Sequence, residues 1–266
     1  MQQQILDLCN RISNVTYENL TKIIRYSEAK SADGARKLDD SYENDLDSWM
    51  GGGTCFSLTW HLYQELRSMG YAPKLLMGDK RIEKNIHCAL LLPVDGEDFL
   101  LDPGYLIFDP LKIPVAIPFQ KSEAFYPLVP NVVRLELENG VLGLYTGSLK
   151  GPLKLRFEFN ILGVTPQEFQ KHWSESFDRE MMTYPVLNKL DREKGIQYYF
   201  QKGNLLIRDK DGSRMEKILP EDQVSKLHAI FGIEEETIER ALGVLGKRWE
   251  NQAKCTKRIQ LKLTKT

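Results

Sequence analysis

The sequence predicts an α+β protein in which helices come first, antiparallel strands follow, and helices return at the end. Three observations support this fold class. Apolar residues recur at helical spacing before Gly70, Asp95-Gly96 separates two apolar runs as a hairpin turn does, and a helix start is marked at Thr165-Pro166. Because no repeat or linker divides the 266 residues, we expect a single unit with three subregions, 1–72, 73–160 and 161–266.

The first subregion is predicted to be helical from the spacing of its apolar residues. One helix carries them at every third position, at Leu6, Cys9, Ile12 and Val15. A second and better-marked helix follows Met50-Gly51-Gly52-Gly53-Thr54, with its apolar residues at Leu58, Leu62, Leu66 and Met69. Gly70 stands where a helix C-terminal cap is expected, so this helix should end just before it.

After Gly70 the pattern changes to short apolar runs separated by turn residues, which predicts strands. These runs are 74–77, 86–92, 99–101, 132–137, 140–145, 153–159, 197–200 and 204–208. One helix interrupts them, because Thr165, Pro166 and Glu168 form the cap, first-turn proline and third-position glutamate of a capping box. Two helices, about 220–231 and 234–252, complete the chain.

Composition limits the classes of partner. The net charge of −1 gives no electrostatic attraction to nucleic acids or anionic membranes, so we expect neither as a partner. The longest purely apolar run, Cys88 to Leu92, is far shorter than the ~20 residues that span a bilayer. The four cysteines, Cys9, Cys55, Cys88 and Cys255, are widely spaced, and no signal peptide is evident. These features predict a cytoplasmic protein with free thiols. We also expect a monomer or a weak homo-oligomer.

Cys55 is the first candidate for chemistry. It follows three glycines and opens the second helix, where unpaired N–H groups and the aligned peptide dipoles stabilise a thiolate. A free cysteine is otherwise often a small buried hydrophobic residue, and that alternative stays open for Cys55 taken alone.

His87 is the candidate base for that thiol, and Asp102 is the candidate partner of His87. His87 begins an apolar strand, where a polar ring needs a partner, and Asp102 ends the strand that returns from the Asp95-Gly96 turn. The hairpin offsets the two residues by one or two positions, which allows an imidazole–carboxylate hydrogen bond. Such a pair can be purely structural, but with Cys55 it predicts a Cys-His-Asp triad. Since neighbours on a strand point to opposite faces, His87 and Cys88 are not expected to share a metal ion, and we expect no metal site.

At these positions the sequence resembles the arylamine N-acetyltransferase family. The stretch from Val15 to Leu20 is similar to an early Pro-Phe-Glu-Asn-Leu segment, and Gly51 to Phe56 is similar to the Arg-Gly-Gly-x-Cys motif that holds the nucleophile. His87 and the segment Leu101 to Tyr105 resemble the remainder of the triad. The closing hairpin and helix also fit, so the resemblance covers nearly the whole chain in the same order.

The resemblance implies a helical bundle, a central antiparallel β-barrel and an α/β lid around a cysteine-proteinase-like core. It implies a ping-pong reaction in which Cys55 takes an acetyl group from acetyl-CoA and passes it to an arylamine or hydrazine. His87 would activate the thiol and Asp102 would orient His87. We expect substrate contacts from the residues beside the nucleophile and the aspartate: Gly53, Thr54, Phe56, Gly104 and Tyr105.

Three positions depart from the family pattern. Gly51 replaces the motif arginine, which removes an ion-pair partner of Glu18, while Pro103 and Leu106 alter the loop after Asp102. Two other functions therefore stay open. Transglutaminase-like amide hydrolases and transferases use the same residue types in the same order, and a non-catalytic family member could bind a ligand or partner.

Overall fold

The structure, a computed structural model, describes residues 1–29, 31–37, 52–148 and 151–247. The first subregion contributes helices α1 (Gln3–Ser13), α2 (Leu20–Ala29), α3 (Ala32–Ala35) and α4 (Cys55–Ser68). Helix α1 buries Ile5, Leu8, Cys9 and Ile12, whereas Leu6 is 38% exposed. The predicted helix is present, and its buried stripe follows the 3-4 alternation of an α-helix, so Leu6 lies outside the stripe that Cys9 and Ile12 share.

Eight antiparallel strands form a nearly closed barrel in the order β5-β4-β3-β2-β9-β8-β7-β6. Their bounds are β2 (Lys74–Lys80), β3 (Glu83–Val94), β4 (Glu97–Asp102), β5 (Ile107–Lys112), β6 (Ser122–Leu128), β7 (Asn131–Glu138), β8 (Val141–Ser148) and β9 (Lys154–Asn160). The two edge strands meet where the Tyr126 hydroxyl on β6 donates a hydrogen bond to the Lys112 carbonyl on β5. Inward-facing residues such as Leu91, Leu135 and Leu144 are fully buried, so the barrel interior is filled.

A second antiparallel sheet has the order β1-β10-β11-β12-β13. Its strands are β1 (Tyr17–Glu18), β10 (Val186–Asp191), β11 (Ile196–Gln201), β12 (Asn204–Arg208) and β13 (Ser213–Lys217). Residues of α2, of α6 (Gln223–Phe231) and of a further helix, α7, described over 235–247, form one buried cluster with this sheet. Strand β1 belongs to the N-terminal part of the chain, so the helical subregion and the C-terminal sheet are joined by backbone pairing.

Helix α5 (Pro166–Glu175) links the barrel to the second sheet. It begins as predicted, because the Thr165 hydroxyl accepts a hydrogen bond from the Glu168 N–H at 3.2 Å. Its buried face places Phe169 and Trp173 against α4, where they pack on Phe56.

The predicted α+β class, with helices, a barrel and a C-terminal mixed segment, is confirmed. Strands β1, β5, β6, β10 and β13 were not predicted. The division into three subregions stays a prediction, and Gly51 and Cys255 lie outside the described residues. Within the described ranges, no helix is long and apolar enough to cross a membrane.

Candidate active site

The approach to α4 places Cys55 at the first residue of that helix. Gly53, two residues earlier, has a left-handed backbone (φ 79°), and a Cβ there would lie 2.3 Å from the Ser57 hydroxyl oxygen. Glu18 of β1 holds this turn from both sides. Its Oε1 accepts the Gly53 N–H at 2.7 Å, and its own N–H donates to the Gly53 carbonyl at 3.0 Å. The second sheet therefore anchors the loop that presents Cys55.

The β3–β4 hairpin brings His87 and Asp102 together. It turns at Asp95-Gly96 and pairs Leu90 with Leu101, and this register places His87 and Asp102 two positions apart on one face. The His87 Nε2 atom lies 2.9 Å from Oδ1 and 2.7 Å from Oδ2 of Asp102. Both side chains are buried. The contact predicted from the hairpin arithmetic is confirmed.

Aromatic rings and one backbone group fix this pair. Phe157 of β9 stacks on the His87 ring with 4.1 Å between centroids and 15° between planes, while Tyr105 meets the ring edge-on at 6.1 Å. Asp102 Oδ1 also accepts the Tyr105 N–H at 2.9 Å. Because Nε2 is committed to Asp102, Nδ1 is the ring nitrogen left for another partner.

The turn after β4 packs directly on the start of α4 at Gly104. A Cβ at this position would lie 2.4 Å from Cys55 Cβ, 2.8 Å from Cys55 Cα and 3.1 Å from His87 Cε1. No side chain other than hydrogen fits without moving backbone. Gly104 thus sets the separation of the thiol-bearing helix from the histidine-bearing hairpin. Pro103 and Leu106, on either side of it, begin and cap the short 3-10 turn in which it lies.

The electrostatics of the site favour a thiolate at Cys55. A hydrogen bond with the Cys88 thiol, a hydrogen bond with His87 and the charge of His87 lower the pKa of Cys55 well below its ordinary value, against the opposing effect of burial. Burial opposes protonation of His87, yet the charge and hydrogen bond of Asp102 raise the pKa of His87 to about 10. Burial also raises the pKa of Asp102, although the charge of His87 acts in the other direction. The site can therefore hold a thiolate–imidazolium pair.

Sequence reasoning missed two residues that act on Cys55. Cys88 was set aside because it points away from the His87 face of β3, but α4 packs against that other face and Cys88 joins the same core cluster as Cys55. Lys22 of α2 is buried, with its Nζ atom 3.1 Å from the Ser176 carbonyl and 2.6 Å from the Ser176 hydroxyl. Burial lowers the pKa of Lys22 to about 8, and its positive charge contributes to the low pKa of Cys55.

The five predicted substrate contacts have different surroundings. Gly53 and Thr54 are buried in the turn before α4, and the fully buried Phe56 packs its ring on Phe169 and Trp173. Gly104 touches Cys55, and the half-buried Tyr105 lines a cavity between the barrel and the second sheet.

No group of three or more His, Cys, Asp and Glu side chains in the described part of the chain could hold a metal ion. Glu18 is also linked to a buried cation. The Lys37 Nζ atom donates at 2.8 Å to the Thr21 hydroxyl, which itself donates to Glu18 at 2.5 Å. One hydroxyl therefore connects Lys37 to Glu18.

Solved structures with the same fold are arylamine N-acetyltransferases. The Mycobacterium abscessus enzyme superposes with a TM-score of 0.73 at 16% identity, over 92% of this chain and 89% of its own. The Mycobacterium marinum enzyme, solved in complex with CoA, gives 0.71 at 18% identity over 92% and 93%. The Bacillus cereus enzyme, which has a Cys-His-Glu catalytic triad, gives 0.65 at 19% identity over 87% and 91%. No protein-family model and no curated protein sequence matches the chain. The fold that the sequence resemblance implied is thereby confirmed.

Proposed function

We propose that this protein is an acyltransferase that moves an acetyl or other acyl group from a CoA thioester to an amine, with Cys55 as the nucleophile. The observation that carries the proposal is the buried Cys55, His87 and Asp102 constellation on the fold of the arylamine N-acetyltransferases. CoA bound to the Mycobacterium marinum enzyme supports a CoA thioester as donor. The low pKa of Cys55 supports a nucleophilic role over a packing role.

In the first half-reaction the Cys55 thiolate attacks the carbonyl carbon of the donor thioester. The bond from that carbon to the CoA sulfur breaks, and CoA leaves after taking the proton that the His87 imidazolium holds. The N–H groups in the first turn of α4 have no partner within the helix, so they can stabilise the negative oxygen of the intermediate. The product is an acyl-Cys55 thioester and a neutral His87.

In the second half-reaction an amine nitrogen attacks the acyl-Cys55 carbonyl. Neutral His87 accepts the proton that the nitrogen loses, the carbon–sulfur bond breaks, and the thiolate–imidazolium pair forms again. Asp102 keeps Nε2 of His87 engaged, so that Nδ1 handles the proton in both steps. An arylamine or a hydrazine suits this step because its nitrogen is unprotonated near neutral pH.

Intact-mass measurement after incubation with acetyl-CoA tests the proposal. The wild-type protein should gain one acetyl group, and Cys55→Ala should gain none. Cys9→Ala is the matched control, because Cys9 is also a buried thiol, and burial raises its pKa to about 12. It should acetylate like the wild type. Addition of an arylamine should then remove the group and return the original mass.

The alternatives give other results in the same assay. A transglutaminase-like enzyme would form a Cys55 adduct with a glutamine-containing peptide and none with any CoA thioester. A non-catalytic protein would form neither adduct, and iodoacetamide would modify its Cys55 with the pH dependence of an ordinary thiol whether or not His87 is present. Either result contradicts the acyltransferase proposal.

A further inference from the structure

A cavity of about 300 Å³ lies between the barrel and the second sheet. The barrel side includes Tyr105, Thr146 and Arg156, and the second sheet contributes Tyr199 and Arg208. The ligand pockets of proteins begin at about this volume, which suits a molecule the size of a single substituted ring. The cavity is thus large enough for a small aromatic ligand and too small for a whole CoA molecule.

Both arginines of this cavity are half-buried cations, and neither has an anionic partner among the residues that the structure describes. Arg156 donates from Nε to the Thr146 hydroxyl at 2.8 Å, and Arg208 donates from Nη1 to Asn131 Oδ1 at 2.8 Å and from Nε to the Ser213 hydroxyl at 3.2 Å. Across the described ranges, no carboxylate comes within 4.0 Å of either guanidinium. A partly desolvated guanidinium that contacts only neutral groups has an unused capacity for a carboxylate or phosphate oxygen.

Neutral hydrogen bonds hold the two arginines in place. Asn131, which accepts from Arg208, donates to Gln197 Oε1 at 3.0 Å, and Gln197 donates to Asn188 Oδ1 at 3.0 Å. A series of hydrogen bonds through three side-chain amides therefore runs from Arg208 along the cavity wall. On the other side, the Tyr105 hydroxyl lies 3.3 Å from the Thr146 hydroxyl that accepts from Arg156. Because these contacts fix both side chains before a ligand arrives, little conformational entropy is lost on binding.

The cavity adjoins the candidate active site through Tyr105. The Tyr105 ring forms part of its wall and meets the His87 ring edge-on. Phe157, which follows Arg156 on β9, stacks on the other side of the site against the same imidazole. Tyr105 therefore joins the two places, because its ring touches His87 and its hydroxyl lies 3.3 Å from the Thr146 hydroxyl to which Arg156 donates.

We infer that Arg156 and Arg208 form a carboxylate-binding subsite, and that the acyl acceptor of this protein is an aromatic amine that carries a carboxylate on its ring. The inference rests on the proposed acyltransferase function for the role of the ligand, but not for its binding. The phosphates of the CoA donor are also anions that arginines bind, so the experiment distinguishes the CoA phosphates from the carboxylate of the acceptor.

Binding of benzoate and of its neutral isostere benzamide is measured by titration calorimetry or ligand-observed NMR. Wild type should bind benzoate more tightly than benzamide. Arg156→Gln and Arg208→Gln should each weaken benzoate binding about 10- to 100-fold, the loss expected for a charge-assisted hydrogen bond, and leave benzamide binding unchanged. Arg214→Gln is the matched control, since Arg214 on β13 is exposed and pairs with Glu216. Equal binding of both ligands, or benzoate binding that neither variant weakens, overturns the inference.

The donor and the acceptor are then distinguished by turnover. Both variants should acetylate Cys55 from acetyl-CoA at the wild-type rate and should lose turnover with 4-aminobenzoate but not with 4-aminobenzamide. A slower acetylation step with intact benzoate binding would assign the arginines to the CoA phosphates and overturn the inference. Benzoate binding also needs no reactive thiol, so Cys55→Ala should retain it. If Cys55 fails to acetylate while the arginine-dependent binding persists, the acyltransferase proposal fails and the carboxylate site is supported.

Discussion

Gly104→Ala tests whether the close packing of the β4 turn on α4 sets the geometry of the site. An ordinary contact begins at 3.4 Å, and the new Cβ would lie 2.4 Å from Cys55 Cβ, so the turn and the helix must separate by about 1 Å. A displacement of that size at a reacting atom costs on the order of 100-fold in rate. The backbone of Gly104 is not in the left-handed region, so the strain that the alanine introduces comes from the close contacts of its Cβ, chiefly with Cys55. We therefore expect acetylation of Cys55 to slow by about two orders of magnitude.

The assay is a quenched time course of Cys55 acetylation by intact mass, with the thermal midpoint of each variant measured in parallel. Gly212→Ala is the matched control, because a Cβ at Gly212 meets nothing within 4 Å. It should acetylate at the wild-type rate. If a folded Gly104→Ala protein also acetylates at that rate, the contact does not position the thiol and the reasoning is refuted.

Three further predictions address charge, burial and capping. His87→Ala should raise the pKa of Cys55 toward its ordinary 9.0, so that iodoacetamide labelling of the variant begins at a higher pH than that of the wild type. Equal pH profiles would contradict the ion pair. Glu18 accepts hydrogen bonds from several buried donors, including the Gly53 N–H, and Glu18→Gln would place an amide donor among them. The free energy of unfolding, measured in urea, should therefore fall by about 1–3 kcal/mol. Thr165→Ala removes the cap of α5 and should cost about 1 kcal/mol without changing acetylation; a neutral result would show that the cap is not stabilising.

Local turn chemistry made the centre of the site predictable. An Asp-Gly turn fixes the register of a short hairpin, and the register fixes which residues face each other, so the contact of His87 with Asp102 follows from residue numbers alone. The helix start at Cys55 and its end before Gly70 were predicted from glycine positions in the same way. These features are determined by residues that are close together in the sequence, so they can be predicted from the sequence alone.

Features that depend on tertiary packing were not predictable. Cys88 lies beside Cys55 only because α4 packs on the outer face of β3, and nothing near Cys88 in the sequence indicates that contact. Strand β13 exposes all of its side chains and lacks an apolar run. Strand β6 has no buried side chain and contains Pro127, which argues against a strand when only the sequence is read. The two-residue β1 is too short for any pattern and exists because β10 offers it a partner.

Pairing of β1 with β10 also orders the events of folding. Tyr17 and Glu18 pair with Asn188 and Leu187, so the chain must be made as far as the first half of β10 before Glu18 receives its strand partner. Glu18 in turn holds Gly53 and the turn before Cys55. The helices and the barrel consist of contacts closer in sequence, which form sooner than such distant pairs. Cys55 therefore reaches its final setting late, and a nascent chain that ends before β10 carries the Cys55 thiol before β1 has been fixed in the second sheet.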